Sequence, residues 1–181
     1  MVLDSMKEIF DAMEAQDMPF WEVVLQADME DRQVTRQQSM AKMLRTWQAM
    51  EEAANNYSGA RRSVSGLVGG DGLKMRQYNL KGKNLAGGYV GEVIAEALSM
   101  AESNACMCRI VAAPTAGACG VLPAVLYYMH RDRGFPKDEI LDSLAVAGMI
   151  GNVIRTNASI SGAECGCQAE IGTACSMAAA S

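Results

Sequence analysis

The 181-residue chain is poor in aromatic side chains, at 6%, and in proline, with four. It has one histidine, His130, and no basic excess: 16 Lys and Arg stand against 21 Asp and Glu, a formal net charge of −5. Each shortage excludes something. Without a basic face, no nucleic-acid partner is expected, because phosphates demand one. One histidine rules out a Cys₂His₂ zinc site. No run reaches the roughly 18–20 apolar residues of a membrane span. The charged start "MVLDSMKEIFDAMEA" lacks the apolar stretch of a secretory signal. These absences predict a cytosolic protein with no membrane partner. In that reducing compartment the six cysteines are expected to be free, or bound to a metal or cluster, not disulfide-paired.

What is present favours helices. Half of the residues are hydrophobic, with 14 methionines and abundant alanine, both good helix formers. The expected fold is mainly α, a single helical domain of about seven or eight helices with Gly-rich irregular loops. Residues 1–60 form its helical start and 61–181 its loop-bearing part. Ser5 with Glu8, and Thr35 with Gln38, fit capping boxes, and Pro19 suits a first helical turn. Met40, Met43, Leu44, Trp47 and Met50 recur at helical spacing, as a core-facing stripe does.

The texture changes after residue 60. The stretch from Ser63 to Gly91 holds eight of the 17 glycines, and Ser65–Gly91 is expected to be irregular. It contains no G-x-x-x-x-G-K-[ST] and no clean G-x-G-x-x-G. A helix follows from Gly91, and then "RIVAAP", a candidate strand or extended piece. "PTAGACG" reads as a turn feeding a helix that ends at Gly134. Pro136 and its acidic neighbours open another helix, whose Gly- and Ala-rich second half allows close backbone approach. "RTNASISGAECGCQAE" reads as a polar loop. The last helix, from Ala169, is apolar nearly all round and so is expected to be buried. With no cap at its end, the chain is expected to be truncated there.

The cysteine spacings favour no common thiol site. Cys165-x-Cys167 and Cys106-x-Cys108 are each one residue too tight for a zinc pair, and no C-x-x-C occurs for dithiol exchange. An iron–sulfur cluster accepts thiolates from scattered positions and favours small residues and backbone N–H groups around its sulfurs, which "SGAECGCQAE" offers. The competing reading for every cysteine is a small buried hydrophobe.

Two motifs carry a resemblance. "APTAGACGVLPAVL" and "NASISGAECGCQAEIGTACSMAAA" closely resemble the catalytic chain of the iron–sulfur L-serine dehydratases, and "SVSGLVGGDGLKMRQY" and "KGKNLAGG" fit the same family. The helical start resembles the separate α chain of two-chain members. The resemblance implies L-serine as substrate, pyruvate and ammonia as products, a [4Fe–4S] cluster as cofactor, and a β chain as partner in a hetero-oligomer. It implies Cys167, in "GCQ", as a cluster ligand, with Cys165 and Cys175 not ligands and the remaining ligands downstream of residue 181. Thr115 and Gly117, at an expected helix entry, and Asn157, Ser159 and Ser161, just before Cys167, are the candidate substrate contacts; a local capping role competes for each. His130, beside Arg131 and Arg133 in a last helical turn, is a poor general base, so the base is expected from the partner chain or from beyond residue 181. Two other readings are weighed: pyridoxal-phosphate chemistry, for which "GLVGGDGLK" imitates a phosphate loop, and a non-catalytic subunit or fragment that contributes only packing.

Overall fold

The computed structural model describes residues 3–181. It is mainly α: nine α-helices and one 3₁₀ turn account for the regular structure, with no strand among the described residues. The helices are α1 (Met6–Gln16), α2 (Phe20–Arg32), α3 (Arg36–Asn55), α4 (Asp71–Leu80), α5 (Gly87–Ala105), α6 (Val121–Arg133), α7 (Lys137–Asn157), α8 (Gly162–Cys165) and α9 (Cys167–Ala180). The chain divides into two compact units. Residues up to Trp47 join Phe135–Ser181 in the first, and Gln48–Gly134 form the second. No helix among the described residues is long and apolar enough to cross a membrane.

In the first unit, local chemistry starts the helices. Ser5 Oγ accepts from the Glu8 N–H at 3.3 Å, and the Glu8 carboxylate accepts from the Ser5 N–H at 3.0 Å, closing the capping box of α1. Thr35 and Gln38 make the same reciprocal pair ahead of α3, at 3.3 and 2.9 Å. Pro19 and Pro136 are the N-caps of α2 and α7, one residue before each first turn. Leu3, Ile9, Val23 and Ala27 are buried together, with Met13, Phe20, Met149 and Val153 packed against them. Helix α3 runs from the first unit into the second; along it Trp47 and Met50 are fully buried, whereas Met40, Met43 and Leu44 are half-buried. Helix α7 packs on both α2 and α9. A Cβ at Gly151 would lie 2.9 Å from Met177 Sδ, so α7 and α9 approach as closely as the small residues of α7 allow.

The second unit is built on α5, which packs against α4 and α6. A Cβ on Gly72 would sit 2.4 Å from Ser99 Oγ, and one on Gly120 would sit 2.4 Å from the Ala97 carbonyl oxygen. Both glycines are therefore required by close approach to α5. Helix α6 ends at Gly134, whose φ of 75° is the left-handed C-cap conformation.

Three expectations are corrected. The stretch Ser65–Gly91 is not irregular throughout: α4 lies inside it, and α5 begins at Gly87, four residues before Gly91. Leu, Lys, Met, Arg and Gln in "DGLKMRQYNL" are good helix formers, and a carboxylate distant in sequence caps the helix. "RIVAAP" forms no strand and no other regular secondary structure. Helix α9 is not buried all round: Thr173, Ala174 and Met177 face inward, while Cys167, Ile171 and Cys175 are exposed.

Candidate functional site

The segment from Asn157 to Cys167 is held by its own polar side chains. Asn157 ends α7, and its Nδ2 donates to the carbonyls of Val153 at 2.9 Å and Asp4 at 2.6 Å. The Ser159 hydroxyl donates to the Glu164 carboxylate and accepts from the Ser161 N–H at 3.1 Å. Ser161 is the N-cap of the short α8, and its Oγ accepts from the Ala163 N–H at 3.2 Å. All three therefore do the capping work that competes with substrate contact. The bonds leave the Asn157 Oδ1 acceptor and the Ser161 hydroxyl proton for another partner.

Between α8 and α9 stands Gly166, at φ 77° and ψ 166°. This combination belongs almost only to glycine. It breaks the helical path between Cys165 and Cys167 and makes Cys167 the first residue of α9, in whose first turn the Ala169 N–H donates to the Gly166 carbonyl at 3.0 Å. A Cβ on Gly162 would fall 2.8 Å from Glu170 Oε2, so α8 folds tightly onto the start of α9.

Cys165, Cys167 and Cys175 are all exposed. Cys167 and Cys175 lie on the same outward face of α9, separated by a rise of about 12 Å, too far for two radially directed thiolates to share one small cluster without bending the helix. Among the described residues, no three His, Cys, Asp or Glu side chains gather where they could hold a metal ion. A complete [4Fe–4S] ligand set is thus not assembled within residues 3–181. What these residues do fit is a single contribution, an outward thiol at the head of a helix next to glycine backbone.

Thr115 and Gly117 belong to the second unit. They do not open α6. Thr115 precedes a three-residue 3₁₀ turn, Ala116–Ala118, and α6 starts at Val121 with Gly120 as its cap. The close approach of Gly120 to α5 sets that entry. Gly117 is exposed on the turn. Asn104 Nδ2 donates to the Ala116 carbonyl at 2.9 Å, tying the turn to the end of α5. Cys119 is 1% exposed, and burial pushes its thiol up from the ordinary range, as for a packed and unreactive thiol. His130 is half-buried in the last turn of α6, with Nε2 3.8 Å from the Glu51 carboxylate.

Sequence reasoning missed two carboxylates on α5. Glu102, 5% exposed, accepts from the Gly70 N–H at 3.0 Å, the Asp71 N–H, and the Gly72 N–H at 3.3 Å, so it caps α4. It also accepts from the Tyr57 hydroxyl at 2.6 Å. Burial, then the bond to Glu102, pushes that phenol up. The N–H groups of the Gly-rich stretch are therefore already on a carboxylate and form no phosphate cup. Lys74 is exposed and paired with Asp71 at 2.8 Å. Both facts count against pyridoxal phosphate. The second carboxylate, Glu96, is 2% exposed, bonded to Arg76 and 3.7 Å from Arg131. Burial pushes its carboxyl up despite both cations. The available signal was spacing: Glu96, Ser99 and Ser103 recur at three- and four-residue intervals among the apolar positions of α5, which marks polar residues on a buried face.

Comparison with known proteins agrees with these motifs. The family model described as serine dehydratase alpha chain matches residues 15–181. A "Probable L-serine dehydratase, alpha chain" of Bacillus subtilis is 34% identical over 97% of this chain and 59% of its own length. An "L-serine dehydratase, alpha chain" of Peptoniphilus asaccharolyticus is 31% identical over 99% of this chain and 62% of its own length. An "L-serine dehydratase" of Haemophilus influenzae is 55% identical over 46% of this chain and 19% of its own length. The chain thus spans about three-fifths of the two relatives it matches from end to end. No solved structure matches it. On the match over residues 15–181 and the two near-complete alignments, the chain belongs to the serine dehydratase alpha chain family.

Proposed function

We propose that this chain is the α-type part of an iron–sulfur L-serine ammonia-lyase, which works with a β-type partner chain and converts L-serine to pyruvate and ammonia. The observation that carries the reading is Cys167: an exposed thiol at the head of α9, set there by the glycine-only conformation of Gly166, inside the family-matched region. Cys167 is one ligand of a [4Fe–4S] cluster, and the other thiolates come from outside residues 1–181. When bound, the cluster supplies a Lewis-acidic iron for departure of the serine hydroxyl.

The chain's own residues orient the substrate. The Ser161 hydroxyl, whose oxygen already accepts from Ala163, donates its proton to a substrate oxygen. Asn157 Oδ1 accepts from the substrate ammonium. The Cα proton goes to a base outside this chain, since His130 faces Glu51.

The test is pyruvate release from L-serine, measured anaerobically after reconstitution with iron and sulfide. The complete enzyme containing this chain turns over, and the 181-residue chain alone does not, because one thiolate cannot hold a cluster with a defined open iron. Comparable turnover by the isolated chain would overturn the reading that the ligand set is shared with residues outside it.

A further inference from the structure

Two cysteines, Cys106 and Cys108, lie close together within the unit formed by Gln48–Gly134. Helix α5 ends in a Schellman motif: the Met107 N–H donates to the Asn104 carbonyl at 3.0 Å, and the Cys108 N–H to the Ser103 carbonyl at 2.9 Å. That motif normally puts glycine at the left-handed position. Here Met107 occupies it at φ 59°, with its side chain 85% exposed and so held there by no core packing. A left-handed conformation is unfavourable for an ordinary residue, and such outliers cluster at working sites. The motif folds Cys108 back beside Cys106, with its Sγ 3.8 Å from the Cys106 carbonyl oxygen. The two α-carbons, two residues apart across a turn, fall within the span a disulfide bridges.

The surroundings are polar and cationic. Arg61 Nη1 donates to Cys108 Sγ at 2.7 Å. Both cysteines are half-buried and line a cavity of about 490 Å³ with Arg61, Arg109, Glu52 and Asn56. Arg109 is paired with Glu52 at 2.7 Å, which leaves the Arg61 charge in excess. This is the size of a small-molecule site, with its surplus positive charge on the reacting sulfur.

We infer that Cys106 and Cys108 form a redox-reactive dithiol that exchanges with an anionic low-molecular-weight disulfide held by Arg61. Cys108 sulfur attacks one sulfur of the small disulfide: a protein–ligand S–S bond forms, the ligand's S–S bond breaks, and one ligand thiolate leaves. Cys106 sulfur then attacks Cys108 Sγ, forming the Cys106–Cys108 disulfide and releasing the second thiolate. The two protein thiols are oxidised, the small disulfide is reduced to two thiols, and the two protein protons pass through solvent to the departing thiolates. Arg61 binds the carboxylate-bearing ligand and meets the charge that develops on Cys108.

The test needs no cluster. The protein is treated with glutathione disulfide, or with uncharged hydroxyethyl disulfide, and each cysteine is mapped by peptide mass spectrometry, with exposed Cys175 as internal reference. Relative to Cys175, the Cys106–Cys108 disulfide is expected to form about tenfold faster with the anionic reagent than with the neutral one. Cys106→Ser should stop the reaction at a mixed disulfide on Cys108, and Arg61→Gln should erase the charge preference. Equal relative rates with both reagents in the unaltered protein would overturn the proposal. So would unmodified Cys106 and Cys108 while Cys175 reacts, or a preference that survives in Arg61→Gln.

Discussion

Replacing Glu102 with glutamine asks why α4 exists at all. The change keeps the shape and removes the charge. Oε1 still accepts from the Asp71 and Gly72 N–H groups. The other atom becomes an NH₂ facing the Gly70 N–H, which donates at 3.0 Å in the native protein, and the Tyr57 hydroxyl, which donates at 2.6 Å. Tyr57 can rotate its proton away, but the Gly70 N–H cannot. Gly70 is buried, so an unpaired donor there costs about 1–3 kcal/mol. Loss of a negative charge at a helix N-terminus costs up to about 1–2 kcal/mol more when partly buried. The two together come to about 3 kcal/mol, or roughly a hundredfold in a local opening equilibrium. Amide hydrogen exchange is the assay, because it reads α4 directly. Amides of Asp71–Leu80 in Glu102→Gln should lose about two orders of magnitude of protection, with α1 and α2 unchanged. Protection of α4 within threefold of the native value would refute the claim that this distant carboxylate holds the helix.

Two further predictions rest on single groups. Gly166→Ala meets no atom within 4 Å of its new Cβ, so its whole cost is conformational, about 1–3 kcal/mol. It should lower the denaturation midpoint and reduce cluster content in the complete enzyme; unchanged values for both would show that the junction tolerates a side chain. Burial pushes the Glu96 carboxyl up in the folded state, so the folded protein binds the proton more tightly than the unfolded chain. The stability this contributes is full below the ordinary carboxylate range and is lost as pH rises through the raised value. Glu96→Gln lacks that loss, so its stability relative to the unaltered protein should increase as the pH rises above the ordinary carboxylate range, read from urea midpoints; a relative stability that falls with rising pH contradicts the assignment.

Elements whose cause is local were legible in the sequence. The capping boxes at Ser5 and Thr35 and the left-handed stop at Gly134 depend on neighbours a few positions away. Helix α4 was not legible, because the carboxylate that caps it stands about thirty residues downstream. The exposure of one face of α9 was not legible either, since an apolar composition does not say how many sides find a partner. Thr115 was misplaced for a related reason. "PTAGACG" contains two possible starts, and the contact of Gly120 with α5 selects the later one. At the candidate site, Asn157, Ser159 and Ser161 were found as polar residues beside Cys167, but their local bonds to Asp4, Glu164 and Ala163 appear only with coordinates.

Iron content and visible absorbance of Cys167→Ser, prepared anaerobically in the complete enzyme beside Cys165→Ala and Cys175→Ala, test the central claim most directly. All three thiols are exposed on α8 and α9, so exposure alone does not separate them. Cys167→Ser is expected to lose the broad cluster absorbance and pyruvate release together, whereas the other two variants keep both. Full cluster content in Cys167→Ser, or its loss in either of the other two, would contradict that claim.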